Sequence, residues 1–247
     1  MGRLRTGGGV GSGGAVPAIV TDFFDVGLRA VSIRAEDFRE SDGTTSYAWQ
    51  GWTVTSIGAG AQVISTGAGQ SATRQGLISL ATGTTTTGNA QTLWKPTGAN
   101  TTLFASGMTL AYECAVRIPV LSGGGQDYYL NIGYANAATG VTEALLFQYA
   151  PTVFGNGNWH ATARNGGVTT SLDLAVPVST DWVRLGLDWD GAQSSYIIDG
   201  IAVGNINTNL PVASISPVFV LGKQGGTASR ECLVDYVWER ILWNPPR

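Results

Sequence analysis

Two Asp-Gly pairs, Asp190-Gly191 and Asp199-Gly200, each lie between short runs of apolar β-formers, and this constrains the chain more than any other feature. Ahead of the first pair, Trp182, Arg184, Gly186 and Asp188 alternate with Val183, Leu185, Leu187 and Trp189. That is the period of a half-buried strand. Asp-Gly accepts the left-handed backbone of a tight hairpin, so residues 195–198 and 201–203 follow as the next two strands. The stretch reads as an antiparallel β-meander.

The same grammar runs through most of the chain. Ala61–Ser65, 76–80, 128–134, Ala144–Tyr149, 160–164 and 169–174 read as strands, as does 108–120, with Leu110, Tyr112, Cys114, Val116 and Ile118 on one face. Residues 47–57 read as a strand pair and 93–96 as an edge strand, where Pro96 costs least. Gly123-Gly124-Gly125 and Asn165-Gly166-Gly167 supply turns. Residues 35–40, Ala-Glu-Asp-Phe-Arg-Glu, read as a short helix. About a dozen strands with no repeat longer than a hairpin point to a sandwich rather than a propeller or β-helix. The 35 glycines and 13% charged residues of this 247-residue chain agree. A β-sandwich of that size can be one domain with a core that needs no staple.

Four motifs in the last third carry a family resemblance: Trp182-Val183-Arg184-Leu185; Tyr196-Ile197-Ile198-Asp199-Gly200; the 206–211 segment I-x-T-N-L-P; and K-x-x-G-T-x-x-R-x-x-x-V-D-Y from Lys223 to Tyr236. With residues 159–172, WHATARNGGVTTSL, this block resembles bacteriophage virion proteins of the tail-fibre, head-fibre and capsid-decoration type. Those proteins carry a concanavalin-A-like jelly roll, and the resemblance covers residues 37–240. It implies an all-β, concanavalin-A-like (laminin-G-like) antiparallel jelly-roll sandwich with an extended N-terminal arm. On this reading residues 1–20 are a glycine-rich anchoring arm bearing Arg3 and Arg5, and 21–247 a single sandwich. The resemblance also implies a structural protein of the virion, assembled in the host cytoplasm and exposed on the particle. Its partners would be like copies in a homotrimer, other virion proteins of capsid or tail, and host-surface carbohydrate. A secreted or tail-borne lectin is the alternative reading, and a glycan depolymerase a further one.

Gly9 to Gly14 fits G-x-G-x-x-G, but neither a strand before it nor a helix after it supports dinucleotide binding. Gly2 and Thr6 fit a myristoylation pattern that a bacterial host would not use. No apolar run follows Arg3 and Arg5, so no secretory signal is expected. Glucanase relatives of the fold present carboxylates as E-x-D-x-x-E along one strand face. Here Glu36, Asp37 and Glu40 have the wrong spacing to share a face. His160, the only histidine, has no nucleophile elbow to serve. The chain is therefore expected not to be an enzyme and to need no cofactor. Asp188 and Asp190 share a strand parity compatible with a cation, but Asp190 belongs to the turn and more oxygens would be required, so no metal is expected. Cys114 and Cys232 read as small buried hydrophobes rather than a disulfide.

A formal charge of −3 offers no basic field for nucleic acid, and no run approaches the ~20 apolar residues of a membrane helix. That leaves binding. Tyr128, Tyr129, Trp159, Trp189 and Trp243 lie near turns, where rings can stack on sugars or on a neighbouring protein. Core packing explains the same residues equally well.

Overall fold

The computed structural model describes residues 30–36, 52–57, 61–65, 77–94, 102–103 and 108–243, with side chains for 77–90 and 108–242. The first strands are β1 (Ala30–Glu36), β2 (Trp52–Ile57), β3 (Ala61–Ser65), β4 (Leu77–Ala81), β5 (Asn89–Trp94), β6 (Thr102–Leu103) and β7 (Met108–Arg117). Next come β8 (Tyr128–Ala135), β9 (Ala144–Tyr149), the short helix α1 (Pro151–Phe154), β10 (Asn158–Asn165) and β11 (Val168–Pro177). The chain closes with β12 (Trp182–Trp189), β13 (Ser194–Ile198), β14 (Ile201–Ile206), β15 (Ser214–Lys223) and β16 (Glu231–Trp243).

These strands form two antiparallel sheets. The first runs β14-β13-β12-β7-β16-β4-β3, with β1 also paired to β16; the second runs β11-β10-β9-β8-β15-β5-β2, with β6 also on β15. The predicted meander is β12-β13-β14. Its Asp199-Gly200 turn has φ of 51° and 83°, the two positive values that a type I′ hairpin needs.

Strand parity explains the core. On β7 the alternate residues Leu110, Tyr112, Cys114 and Val116 are buried, and on β8 Tyr128, Leu130, Ile132 and Tyr134. Aromatic rings bridge the sheets edge-on: Tyr112 meets Tyr134 at 5.2 Å and Phe147 meets Tyr196 at 5.1 Å between centroids. Such geometry adds roughly 0.5–1.5 kcal/mol per pair beyond the area buried. Two of these tyrosines place their buried hydroxyls on acceptors: Tyr134 donates to Glu239 Oε2 at 2.6 Å and Tyr196 to the Thr162 carbonyl at 3.1 Å. Cys114 and Cys232 are free and buried in this core, and burial pushes the Cys114 thiol up to about 12.

Three sequence expectations change. Residues 35 and 36 end a strand, paired across from Trp238 and Val237, instead of starting a helix; residues 37–40 lie outside the described residues. The run expected at an edge belongs to β5, which lies between β15 and β2 and stops before Pro96. Sixteen strands are described where about a dozen were expected, because both sheets are wider than the turn signals implied. The arm at 1–20, with Arg3 and Arg5, lies outside the described residues.

Candidate functional site

Of the five candidate aromatics, Tyr128, Trp159 and Trp189 are 0%, 1% and 6% exposed. They are core residues, not contact surface. Trp159 packs edge-on against Phe147 at 6.3 Å, and Tyr128 against Tyr149 at 5.5 Å. Parity decides this: a ring beside a turn still takes whichever face its strand position gives it. Trp243 ends β16, and its side chain lies outside the described residues. Tyr129, one residue along from Tyr128, points out from the second sheet. Its ring lies over Gly222 of β15, where a Cβ would come within 2.3 Å of it. The Tyr129 hydroxyl accepts from Asn89 Nδ2 at 3.0 Å, and the buried Oδ1 of Asn89 has no partner.

The rest of that outer face follows from register. Asp173, His160, Gln148 and Asn131 stand side by side on β11, β10, β9 and β8. Gln148 Nε2 donates to Asn131 Oδ1 at 2.9 Å, and Thr162 Oγ1 donates to Gln148 Oε1 at 2.5 Å. Thr162 and Ser171 share a further hydrogen bond at 3.2 Å. Amides and hydroxyls thus form a connected, uncharged ladder across four strands. Beside it runs a buried apolar strip of Ala135, Ala144, Leu146, Val218 and Val220, with Tyr129, Ala138 and Val141 packed against it.

At the β10 end the ladder meets α1. Gly155, in the left-handed region at φ 75°, caps the helix by donating to the Pro151 carbonyl at 2.8 Å. This turn lays Phe154 on the His160 ring, with centroids 3.8 Å apart and planes 10° from parallel. His160 Nε2 is 3.0 Å from Asn156 Oδ1, an acceptor, so that nitrogen carries the hydrogen in this arrangement. Burial holds the imidazole below its ordinary value, opposed by the nearby Asp173 carboxylate. Asp173 is itself held low, first by the Ala175 amide at 2.8 Å and then by Asn158. Asn156 Nδ2 donates to its other oxygen at 2.8 Å. A neutral, stacked imidazole and a fixed carboxylate therefore close one end of the ladder.

The other acids are placed differently. Asp190 accepts from the Ala192 and Gln193 amides inside its turn. Asp188 stands on the outer face of the first sheet, with its carboxyl raised by burial against the opposing pull of Arg240. Glu143 accepts from the Gly166 and Val212 amides and so ties two loops together. Outward positions on β9 are Ala144, Leu146 and Gln148, with no acid among them. Among the described residues no three of His, Cys, Asp and Glu converge as metal ligands.

No family model matches the sequence, and no curated protein does. Solved structures do match. The endo-1,3-beta-glucanase of Streptomyces sioyaensis has a TM-score of 0.58 at 13% identity, over 86% of this chain and 97% of that one. The immunostimulatory antigen and pseudo beta-1,3-glucanase of Mycobacterium tuberculosis has 0.54 at 16%, over 85% and 98%. A carbohydrate esterase of the Shiga toxin-encoding bacteriophage phi24B has 0.53 at 13%, over 85% and 99%. At such identities the likeness establishes the fold, an antiparallel jelly-roll sandwich of the glucanase and concanavalin type. It also overturns one expectation: a chain predicted not to be an enzyme shares its architecture with glycoside hydrolases. The missing E-x-D-x-x-E spacing carried that expectation, and spacing in one segment is too narrow a criterion for a fold this widely used.

Proposed function

We propose that the protein binds carbohydrate on the outer face of its second sheet, and that it does so on the surface of a bacteriophage particle. The observation that carries the reading is the uncharged ladder of Asn131, Gln148, Thr162 and Ser171 beside an apolar strip. A sugar presents hydroxyls around its rim and C–H groups on its faces. Side-chain amides and hydroxyls can each donate and accept to such a rim, while the partly exposed Tyr129 ring meets a face. The virion setting is supported by the sequence resemblance and by the phage esterase among the structural neighbours. On this reading residues 1–20, with Arg3 and Arg5, anchor the sandwich to capsid or tail.

Calorimetric titration with oligosaccharides from the host envelope tests the binding face. Wild-type protein should bind, and the Asn131→Ala/Gln148→Ala double variant should lose that binding while remaining folded. Undiminished affinity in the double variant would place the site elsewhere. Reducing-end release measured in the same samples separates retention from cleavage. Deleting residues 1–14 should leave glycan binding intact and abolish attachment to particles; full occupancy by the truncated chain would remove the anchor from the proposal.

A further inference from the structure

The edge strand β11 is open to main-chain pairing, and we propose that it pairs antiparallel with β11 of a second copy of this chain. Among the described residues it is terminal in the second sheet and bonded only to β10. Terminal strands in soluble proteins are normally blunted by lysines, prolines or bulges. Between Val168 and Asp173 this one has none of these: its sequence is Val-Thr-Thr-Ser-Leu-Asp, and its pairing with β10 is regular from Val168 to Asp173. Val168 is 61% exposed and Leu172 37%. The irregularities of β11 lie at its far end, where the pairing with β10 shifts between Asn158 and His160 and the strand closes on Pro177; β14, at the corresponding edge of the first sheet, is shifted in mid-pairing at Tyr196/Ile197.

The register with β10 fixes which groups face outward. Asn165 and Val168 flank the two-residue Gly166-Gly167 turn and form a hydrogen-bonded pair, so bonding alternates from there. Val168, Thr170 and Leu172 direct their N–H and C=O groups to β10, while Thr169 and Ser171 direct theirs to the free edge. From its inner side the strand is held by side chains only, with Thr170 Oγ1 2.9 Å from both Thr208 Oγ1 and Asn209 Nδ2. Nothing in that arrangement uses the outward main-chain groups.

One register satisfies both the backbone and the side chains. With Thr170 on a two-fold axis normal to the sheet, Thr169 of each copy exchanges hydrogen bonds with Ser171 of the other. Leu172 then stands opposite Val168 of the second copy, twice, in the closer non-hydrogen-bonded positions. The two Asp173 carboxylates fall about 20 Å apart, so like charges do not meet. Such an interface is isologous and closes at two chains, in contrast to the three implied by the family resemblance. It also joins the two second sheets with their outer faces on the same side, whatever those faces bind.

Light scattering on the intact protein at tens of micromolar should give the mass of two chains. Ser171→Pro removes an edge N–H that serves no internal bond, and should halve that mass while the far-UV spectrum is unchanged. Val168→Lys, at a solvent-exposed position, should halve it independently by placing an ammonium opposite Leu172. A single-chain or three-chain mass for the intact protein overturns the proposal, and so does a dimer that survives both substitutions.

Discussion

The two surfaces of the second sheet are built from the same strands and have opposite chemistry. Facing inward are Tyr128, Phe147 and Trp159, packed edge-on with Tyr149 and Tyr196. Facing outward, one residue along in each case, are Tyr129, Gln148 and His160, joined to their surroundings by hydrogen bonds. A strand reverses its side chains at every step, so a single sequence position separates the interior from the outer face. The inner residues gain from area and ring geometry and tolerate no loss of volume. The outer ones gain from direction, since an amide places donor and acceptor at fixed positions. Stability and recognition can therefore be changed separately within a few residues of each other.

The largest effect should come from the inner surface. Trp159→Ala leaves a cavity beside Phe147 and Tyr149 and should cost about 3–5 kcal/mol of unfolding free energy, read from denaturant midpoints. A midpoint shift no larger than that of a surface variant would mean the ring is not core. Gln148→Ala, on the next strand and the other face, should move the midpoint far less. It should instead weaken oligosaccharide binding about tenfold, near 1.4 kcal/mol, by removing one member of the ladder. If Gln148→Ala destabilises as much as Trp159→Ala, the separation between the two surfaces is false. Tyr129→Phe should have a smaller effect on stability, roughly 1 kcal/mol, because Asn89 Nδ2 loses its acceptor while the ring stays over Gly222.

Much of this was legible in the sequence, and what was not has a definite physical reason. The Asp-Gly turns and the alternation from Trp182 to Trp189 located β12, β13 and β14, because hairpin chemistry is local. Three of the four ladder residues are also marked locally: Asn131 lies between Leu130 and Ile132, Gln148 between Phe147 and Tyr149, and Thr162 between Ala161 and Ala163. Polar residues in such settings point outward. Their meeting on one row depends on the registers β8–β9 and β9–β10, which are set by loop lengths and twist and are not written in any one strand. Reading aromatics by nearness to turns picked out Tyr129, which parity places on the outer face, together with three residues that parity sends into the core. The exposed edge of β11 was equally hidden, since being terminal in a sheet is a property of topology.

The smallest expected effect is a pH dependence carried by His160, and its sign follows from burial. The imidazole lies beneath Phe154, and desolvation lowers its proton affinity in the folded state more than Asp173 raises it. The unfolded chain, with an ordinary value near 6.5, therefore binds the proton more tightly than the folded one. Stability is fully present above about pH 6.5 and falls as the pH is lowered through that value toward the depressed folded one. Asp173, whose carboxyl is held low by the Ala175 amide and Asn158, gives a separate loss at more acid pH, below the ordinary carboxylate range. The two are distinguished by substitution. In His160→Gln the decline just below pH 6.5 should flatten while the acid limb remains; in Asp173→Asn the acid limb should shrink and the upper one persist. Denaturant midpoints taken from pH 8 down to about pH 2 read both limbs. A His160→Gln profile parallel to wild type across pH 5–7 would mean that the ring is hydrated in solution and that Phe154 does not cover it.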